Sequence, residues 1–147
     1  MPVSPHPPGF LRRLAAMVYD LLLLLAVWFI AISLATVATW LVTGSTDISR
    51  HNIAFLYMDL VTFLFFGWFW THGGQTLGMR AWRLQVVTRD GGPLRWSHAI
   101  VRYAYAHLSW MAFGLGFLWI LFDKQKHAWH DSLSKTYMQL LEKPDKK

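Results

Sequence analysis

Asp20 lies inside the run Leu-Arg-Arg-Leu-Ala-Ala-Met-Val-Tyr-Asp-Leu-Leu-Leu-Leu-Leu, two helical turns after Arg12 and Arg13. A carboxylate near hydrocarbon costs about 2.5 to 3.5 kcal/mol even on lenient insertion scales, so it needs a partner, a proton or a task. Arg13 and Asp20 are seven residues apart. On a helix that spacing puts them on one face, about 10 Å apart along the axis. Ala16 and Met17 lie between them, and small residues there let another helix come close. Two chemistries fit. In one, Arg13 snorkels to the headgroups while Asp20 pairs with a basic or polar group of a neighbouring helix for assembly. In the other, Asp20 is a protonatable or cation-binding group in a pathway.

Asp59 is a second acid within an apolar run, Ile53 to Thr71. If the first two helices cross in opposite directions, Asp59 and Asp20 lie near opposite membrane faces and do not share a site. They are then either successive stations for a proton or cation, or Asp59 is solvated among the outer headgroups. The solvated reading is the expectation here. Lys126-His127-Ala128-Trp129-His130-Asp131 sets two histidines one helical turn apart beside a carboxylate. Without a further clear ligand this is a common chance arrangement, so no metal is assigned. Asp131 is expected to cap a helix or to meet an arginine of the segment His72 to Ser97. No nucleophile with a general base is evident, and Gly73-Gly74-Gln75-Thr76-Leu77-Gly78 lacks the preceding strand that a phosphate-cradling loop requires. The sequence therefore predicts neither an enzyme nor a cofactor. Cysteine is absent, which excludes disulfides and thiolate chemistry.

The elements that must position these groups are membrane elements. Of 147 residues, 54% are hydrophobic and 16% aromatic, and the apolar residues are clumped. Leu21 to Val42 holds 22 residues without a formal charge, and roughly 20 suffice to cross a hydrocarbon core of about 30 Å. Ile53 to Thr71 carries one charge, Asp59, and Ala99 to Phe122 carries one, Arg102. A secretory leader does not fit, because its apolar region covers about 7 to 15 residues and this run is longer and opens on Asp20. The formal charge of +6 is dispersed around the spans, which points to anionic headgroups rather than nucleic acid.

Helix 1 is expected to begin near Phe10 and to end at Thr43-Gly44-Ser45-Thr46-Asp47, with Trp40 as an interfacial anchor. Arg12 and Arg13 put the N-terminus in the cytoplasm. Arg80, Arg83, Arg89 and Arg95 against Asp90 alone give the next inner segment the same side. Leu84 to Thr88 reads as a strand, followed by the turn signal Arg89-Asp90-Gly91-Gly92-Pro93, with Tyr137 to Leu141 as its partner. The third apolar stretch is either a plain span or a re-entrant or interfacial pair of short helices. Gly114-Leu115-Gly116 near its middle and six lysines against four acids after Phe122 tilt the reading to the pair, which returns the C-terminus inside. The fold class is thus an all-α membrane protein with two clear transmembrane helices, a third apolar segment and a small cytoplasmic β element. Residues 1–9, with four prolines, are expected to be a mobile tail, 10–141 the membrane domain, and 142–147 a basic tail.

Taken together, these segments resemble the RDD family of small membrane proteins. Arg12-Arg13-Leu14-Ala15-Ala16 with Tyr19-Asp20 is similar to its opening. Gly74-Gln75-Thr76-Leu77-Gly78, Arg83-Leu84-Gln85-Val86-Val87 and Asp90-Gly91-Gly92-Pro93 are similar to its central stretch, Ala99 to Arg102 to its third apolar region, and His130-Asp131 to its close. The resemblance covers roughly residues 10–141. It implies that Arg13, Asp20 and Asp131 are the family's named arginine and two aspartates, with Arg12 an adjacent alternative for the first. Met79 departs where lysine is common, and Ser134-Lys135 where Ala-Gly is usual. The resemblance implies no settled activity, though transport is a common suspicion for the family. The candidate ion- or partner-binding residues are Arg13, Asp20, Asp59 and Asp131, joined by Arg12, Arg102 and His130. The expected partners are the lipid bilayer of a bacterial inner membrane and either further copies of the chain or another membrane protein. The functional expectation is cation, proton or small-solute transport, with Asp20→Asn abolishing flux. The alternative is a non-transporting assembly or scaffold subunit.

Overall fold

A computed structural model describes residues 7–46, 51–124 and 126–142, with the backbone alone at positions 51 and 52. The first helix, α1, runs Phe10–Thr43. Its 34 residues extend about 51 Å at 1.5 Å per residue, well beyond a core of roughly 30 Å. Its buried residues explain the excess. Arg13, Ala16, Asp20 and Leu24 recur at spacings of three and four and form one stripe, with Ala31 further along. The N-terminal part of this stripe is sheathed by later segments of the chain. At the other end Gly44 takes a left-handed conformation (φ 71°) and its N–H bonds to the Trp40 carbonyl at 2.8 Å, which closes the helix.

The second helix, α2 (His51–Thr71), returns beside α1. Trp28 Nε1 donates to Thr62 Oγ1 at 2.9 Å and the Tyr57 hydroxyl to the Ala31 carbonyl at 3.1 Å. The apolar windows of α1 and α2 are only 11% and 6% buried, so the surfaces of both are left for lipid or another chain to cover. Both helices are long and apolar enough to cross a membrane. Short elements follow: α3 (Leu77–Ala81), β1 (Leu84–Thr88), α4 (Trp96–Met111), α5 (Leu115–Leu118) with a 3-10 turn at Trp119–Leu121, α6 (Trp129–Leu133) and β2 (Thr136–Leu140). The third apolar stretch is therefore a bent pair. After α4 the chain passes through Phe113 (φ 54°) and Gly114 (φ 76°) and turns by 105°. Consecutive left-handed residues break the helical hydrogen-bond ladder where glycine makes this least costly.

β1 and β2 pair antiparallel, with Leu84 opposite Leu140, Val86 opposite Met138 and Thr88 opposite Thr136. The partner strand starts one residue earlier than Tyr137 because Thr136 already pairs with Thr88, and the Arg89 N–H bonds to the Lys135 carbonyl at 3.1 Å. Two short strands are marginal alone, and here their inner faces join a core of Ala16, Trp70, Met79, Leu84, Val86, Leu94 and Ala99. That core lies where the start of α1, the end of α2, α3, the sheet and the start of α4 meet. It forms a cap on one end of the helix pair. Of the expected N-terminal tail, residues 1–6 lie outside the described residues, while Pro8 is buried and accepts a hydrogen bond from Arg13 Nε at 3.3 Å. Of the expected basic tail, residues 143–147 lie outside the described residues.

Candidate functional site

Three clusters hold the sequence-predicted charges, and two of them belong to the cap. In the first, Asp131 sits in the opening turn of α6 between two guanidinium groups. Arg13 Nη1 donates to its Oδ2 at 2.7 Å and Arg102 Nη1 to its Oδ1 at 2.5 Å, and all three side chains are buried. The Ala128 N–H adds a bond to Oδ2 at 3.1 Å. Asp131 thus caps α6, as expected, but its arginines come from α1 and α4 rather than from the segment His72 to Ser97. Arg13 does not snorkel. Its Nη2 donates to the Lys126 carbonyl at 2.7 Å. Arg102 Nη1 also reaches Thr136 Oγ1 at 2.9 Å, and its guanidinium lies 5.2 Å from the Trp70 ring centroid. Two cations against one anion leave an excess positive charge, which the aromatic face and the carbonyls of Pro8 and Lys126 offset in part. Burial alone would raise the Asp131 carboxyl. Arg102, with His130 and Arg13, outweighs it and holds the group well below the usual carboxylate range.

His130 lies against this clasp, Nε2 3.6 Å from Asp131 Oδ1 and its ring 4.8 Å from that of Phe117. Burial first, and then the two arginines, push its pKa down to about 3 against the pull of Asp131, so it is neutral at pH 7. Its Nδ1 is buried without a hydrogen-bond partner. His127 stands apart, its backbone N–H bonded to Asp123 Oδ2 at 2.7 Å. Among the described residues no three His, Cys, Asp or Glu side chains gather as metal ligands. Arg12 does not join the clasp, and its Nη1 is buried without a partner.

The second cluster is built on Asp20. Its Oδ2 accepts from the Thr76 hydroxyl at 2.5 Å and its Oδ1 from the Gly78 N–H at 2.8 Å. Thr76 Oγ1 in turn accepts from the Met79 N–H at 3.1 Å as the N-cap of α3. The acid therefore docks α3 on α1 by satisfying donors that a helix start leaves free. The approach is close enough to require glycine at 78: a Cβ there would lie 2.3 Å from the Ala16 carbonyl oxygen and 2.8 Å from Asp20 Cγ. Arg13 and Asp20 share a face, as their spacing predicts, but serve different partners. Met79, where a lysine was the common expectation, is 4% exposed and packs in the core.

The third cluster borders the cap, since its Tyr103 packs against the cap's core. Asp59 Oδ1 accepts from the Tyr103 hydroxyl at 2.8 Å and lies 2.9 Å from His107 Nε2. Asp59 thus has two side-chain partners beside the solvent that its exposure admits. The side chains of Asp59 and His107 are half-exposed at 53% and 51%, yet α4 brings them a phenol and an imidazole. Asp59 and Asp20 do not meet, as the opposed helix directions require.

The family model for the RDD family matches residues 7–135. The chain belongs to the RDD family. It is an RDD membrane protein with apolar helices, and no curated protein and no solved structure matches it. In this RDD protein the residues that carry the family resemblance, Arg13, Asp20 and Asp131, all fasten the cap: one ties α1 to α6, one ties α1 to α3, and the last gathers α1, α4 and α6. Lys135, standing where glycine is usual, holds φ 54°, a conformation that glycine adopts without strain. Thr76, Tyr103, His107 and Thr136 are the partners that sequence reasoning passed over as site residues. Thr76 had a signal, a helix-capping residue just ahead of Leu-Gly-Met, and His107 had one, an ionisable group inside an apolar stretch.

Proposed function

We propose that this RDD protein moves protons or other small cations across a membrane as part of a larger assembly, with Asp59 as the carboxylate that meets them. The observation that carries this reading is the contact of Asp59 with Tyr103 and His107 within the apolar stretches. Ionisable groups at such depth are costly and mark ion pathways or proton relays more often than they mark decoration. Asp59 is the one formally charged residue between Ile53 and Thr71, about 9 Å along the helix from Ile53. Asp20, by contrast, has both oxygens engaged with α3. Two helices and a bent pair cannot enclose a path in one copy, so the proposal includes self-association or a larger membrane partner. It includes a bacterial inner membrane, the cap and N-terminus on the cytoplasmic side, and no enzymatic step. The charge distribution supports that orientation, since Arg12, Arg13, Arg80, Arg83, Arg89 and Arg95 lie at or around the cap end.

A second reading is a non-transporting assembly subunit. It is favoured by the use of Arg13, Asp20, Arg102 and Asp131 to fasten one chain, while only 11% and 6% of the apolar windows of α1 and α2 are buried. Purified protein in lipid vesicles with an imposed pH gradient separates the two. Transport predicts that the gradient collapses faster than in protein-free vesicles, alone or on adding sodium or potassium. No acceleration by a well-folded protein, with a stoichiometric foreign membrane protein recovered in its native complex, leaves the assembly reading.

A further inference from the structure

Both ring nitrogens of His107, which packs on the Tyr103 ring at 4.4 Å, face oxygens. Its Nε2 faces Asp59 Oδ1 at 2.9 Å, and its Nδ1 faces the backbone carbonyl of Tyr103 at 3.1 Å. A carbonyl oxygen only accepts hydrogen bonds, and so does an ionised carboxylate. A neutral imidazole has one N–H to give. An ionised Asp59 beside a neutral His107 would therefore leave one of the two contacts as acceptor against acceptor. Adding one proton to the pair removes the conflict in either of two ways. The ring becomes an imidazolium and donates at both nitrogens to a carboxylate, or Asp59 becomes the acid and donates to Nε2 while Nδ1–H donates to the Tyr103 carbonyl.

We infer that the Asp59–His107 pair is a proton-binding site, holding one exchangeable proton between α2 and α4 in a contact of zero net charge. The two arrangements differ only in which atom the proton sits on. The neutral sum fits the location, because an uncompensated charge within an apolar span is what the membrane penalises. The Tyr103 hydroxyl is the third member. It lies 2.8 Å from Asp59 Oδ1 and 3.1 Å from the Asp59 backbone carbonyl, so it supplies a hydrogen bond to the acid in both arrangements. The groups facing the pair are these: Asp59 and Thr62 from α2, and Tyr103 and His107 from α4. From α1, Trp28 reaches the seam through Thr62, and α1 carries no charged residue from position 21 to its end. No other charged side chain bonds to the pair among the described residues. Loss of the proton would leave a negative charge and one broken hydrogen bond, so proton release and the packing of α4 on α2 are coupled.

This inference deepens the transport reading, naming the proton as the ligand of that site, and rests on it for what proton exchange accomplishes. Its test does not measure flux. The full chain is labelled with 15N-histidine and 13C-aspartate in lipid nanodiscs, and His107 is assigned by its loss in His107→Gln. At neutral pH the expected spectrum shows either both ring nitrogens protonated or a protonated Asp59 carboxyl. The Asp59→Asn protein should show a neutral ring with one bare nitrogen. A neutral ring beside an ionised carboxylate in the native protein at neutral pH would overturn the inference. The native spectrum at neutral pH decides this by itself, so nothing depends on the folding of a variant. A shared proton without any flux counts against the transport reading and leaves this inference standing.

Discussion

Arg13 Nη1 and Asp131 Oδ2 lie 2.7 Å apart and close a loop of 118 residues, joining the first helical turn of the chain to the last helix. With Arg102 on the other carboxylate oxygen, this contact makes the cap one body: α1, α4 and α6 cannot separate without exposing a buried charge. Removing one member of a buried charged pair is far more damaging than replacing the pair, because the partner is left uncompensated.

Asp131→Asn should therefore destabilise the protein by about 3 to 5 kcal/mol, since it leaves two buried guanidinium groups facing a neutral amide. Denaturant unfolding in detergent micelles reads this directly. A loss below about 1 kcal/mol would show that the clasp carries little of the stability.

Gly78→Ala should force α3 off α1, at a cost of about 1 to 3 kcal/mol, because the new methyl would meet the Ala16 carbonyl oxygen at 2.3 Å. Gly92→Ala is the matched control. A Cβ at 92 meets only Thr88 Oγ1, at 3.4 Å, and its effect should stay within about 0.5 kcal/mol. Equal unfolding midpoints for the two variants would contradict the close approach of α3 to Asp20.

Acid should weaken the cap before it reaches the carboxylates. In the unfolded chain His130 takes up a proton near pH 6.5, but in the folded chain burial and the two arginines delay this to about 3. Between these values the unfolded state binds more protons, so stability falls as pH drops from about 6.5 toward 3, by a few kcal/mol in all. Asp131 adds to the loss only below about pH 4, where unfolded aspartates protonate. Unfolding midpoints at pH 7, 6, 5 and 4 should decline steadily, and His130→Leu should flatten that decline. An unchanged slope in the variant would remove His130 from the account.

How much of this was legible from the chain depends on the range of the interaction. The span of α1 was legible because 22 uncharged residues have only one economical location. The strand pair was legible because Asp90-Gly91-Gly92-Pro93 announces a turn beside a β-like run. The bend after α4 was legible as one of two alternatives, because Gly114 sits midway in a stretch with Arg102 and His107 in its first half. The partners were not legible. Thr76 is 56 residues from Asp20 and Tyr103 is 44 from Asp59, and no local pattern encodes a contact at that distance. The residue type alone marks Asp20 as a costly acid among leucines, while its use stays open between a pathway and a joint. In the folded chain its carboxylate joins α3 to α1. For Asp59 the sequence shows an acid with access to solvent, and only the placement of α4 beside α2 supplies the phenol and the imidazole.

The central claim is that Asp59, and not Asp20, is the acid through which this RDD protein handles protons. Proton flux across vesicles holding equal amounts of folded Asp59→Asn and Asp20→Asn protein tests it most directly. Asn at position 20 can still accept from the Gly78 N–H, so that variant should keep near-native flux with a modest loss of stability, about 1 to 3 kcal/mol. Asn at position 59 cannot exchange a proton, so that variant should fall to the protein-free rate. Native flux in the Asp59 variant together with lost flux in the Asp20 variant would contradict the claim outright.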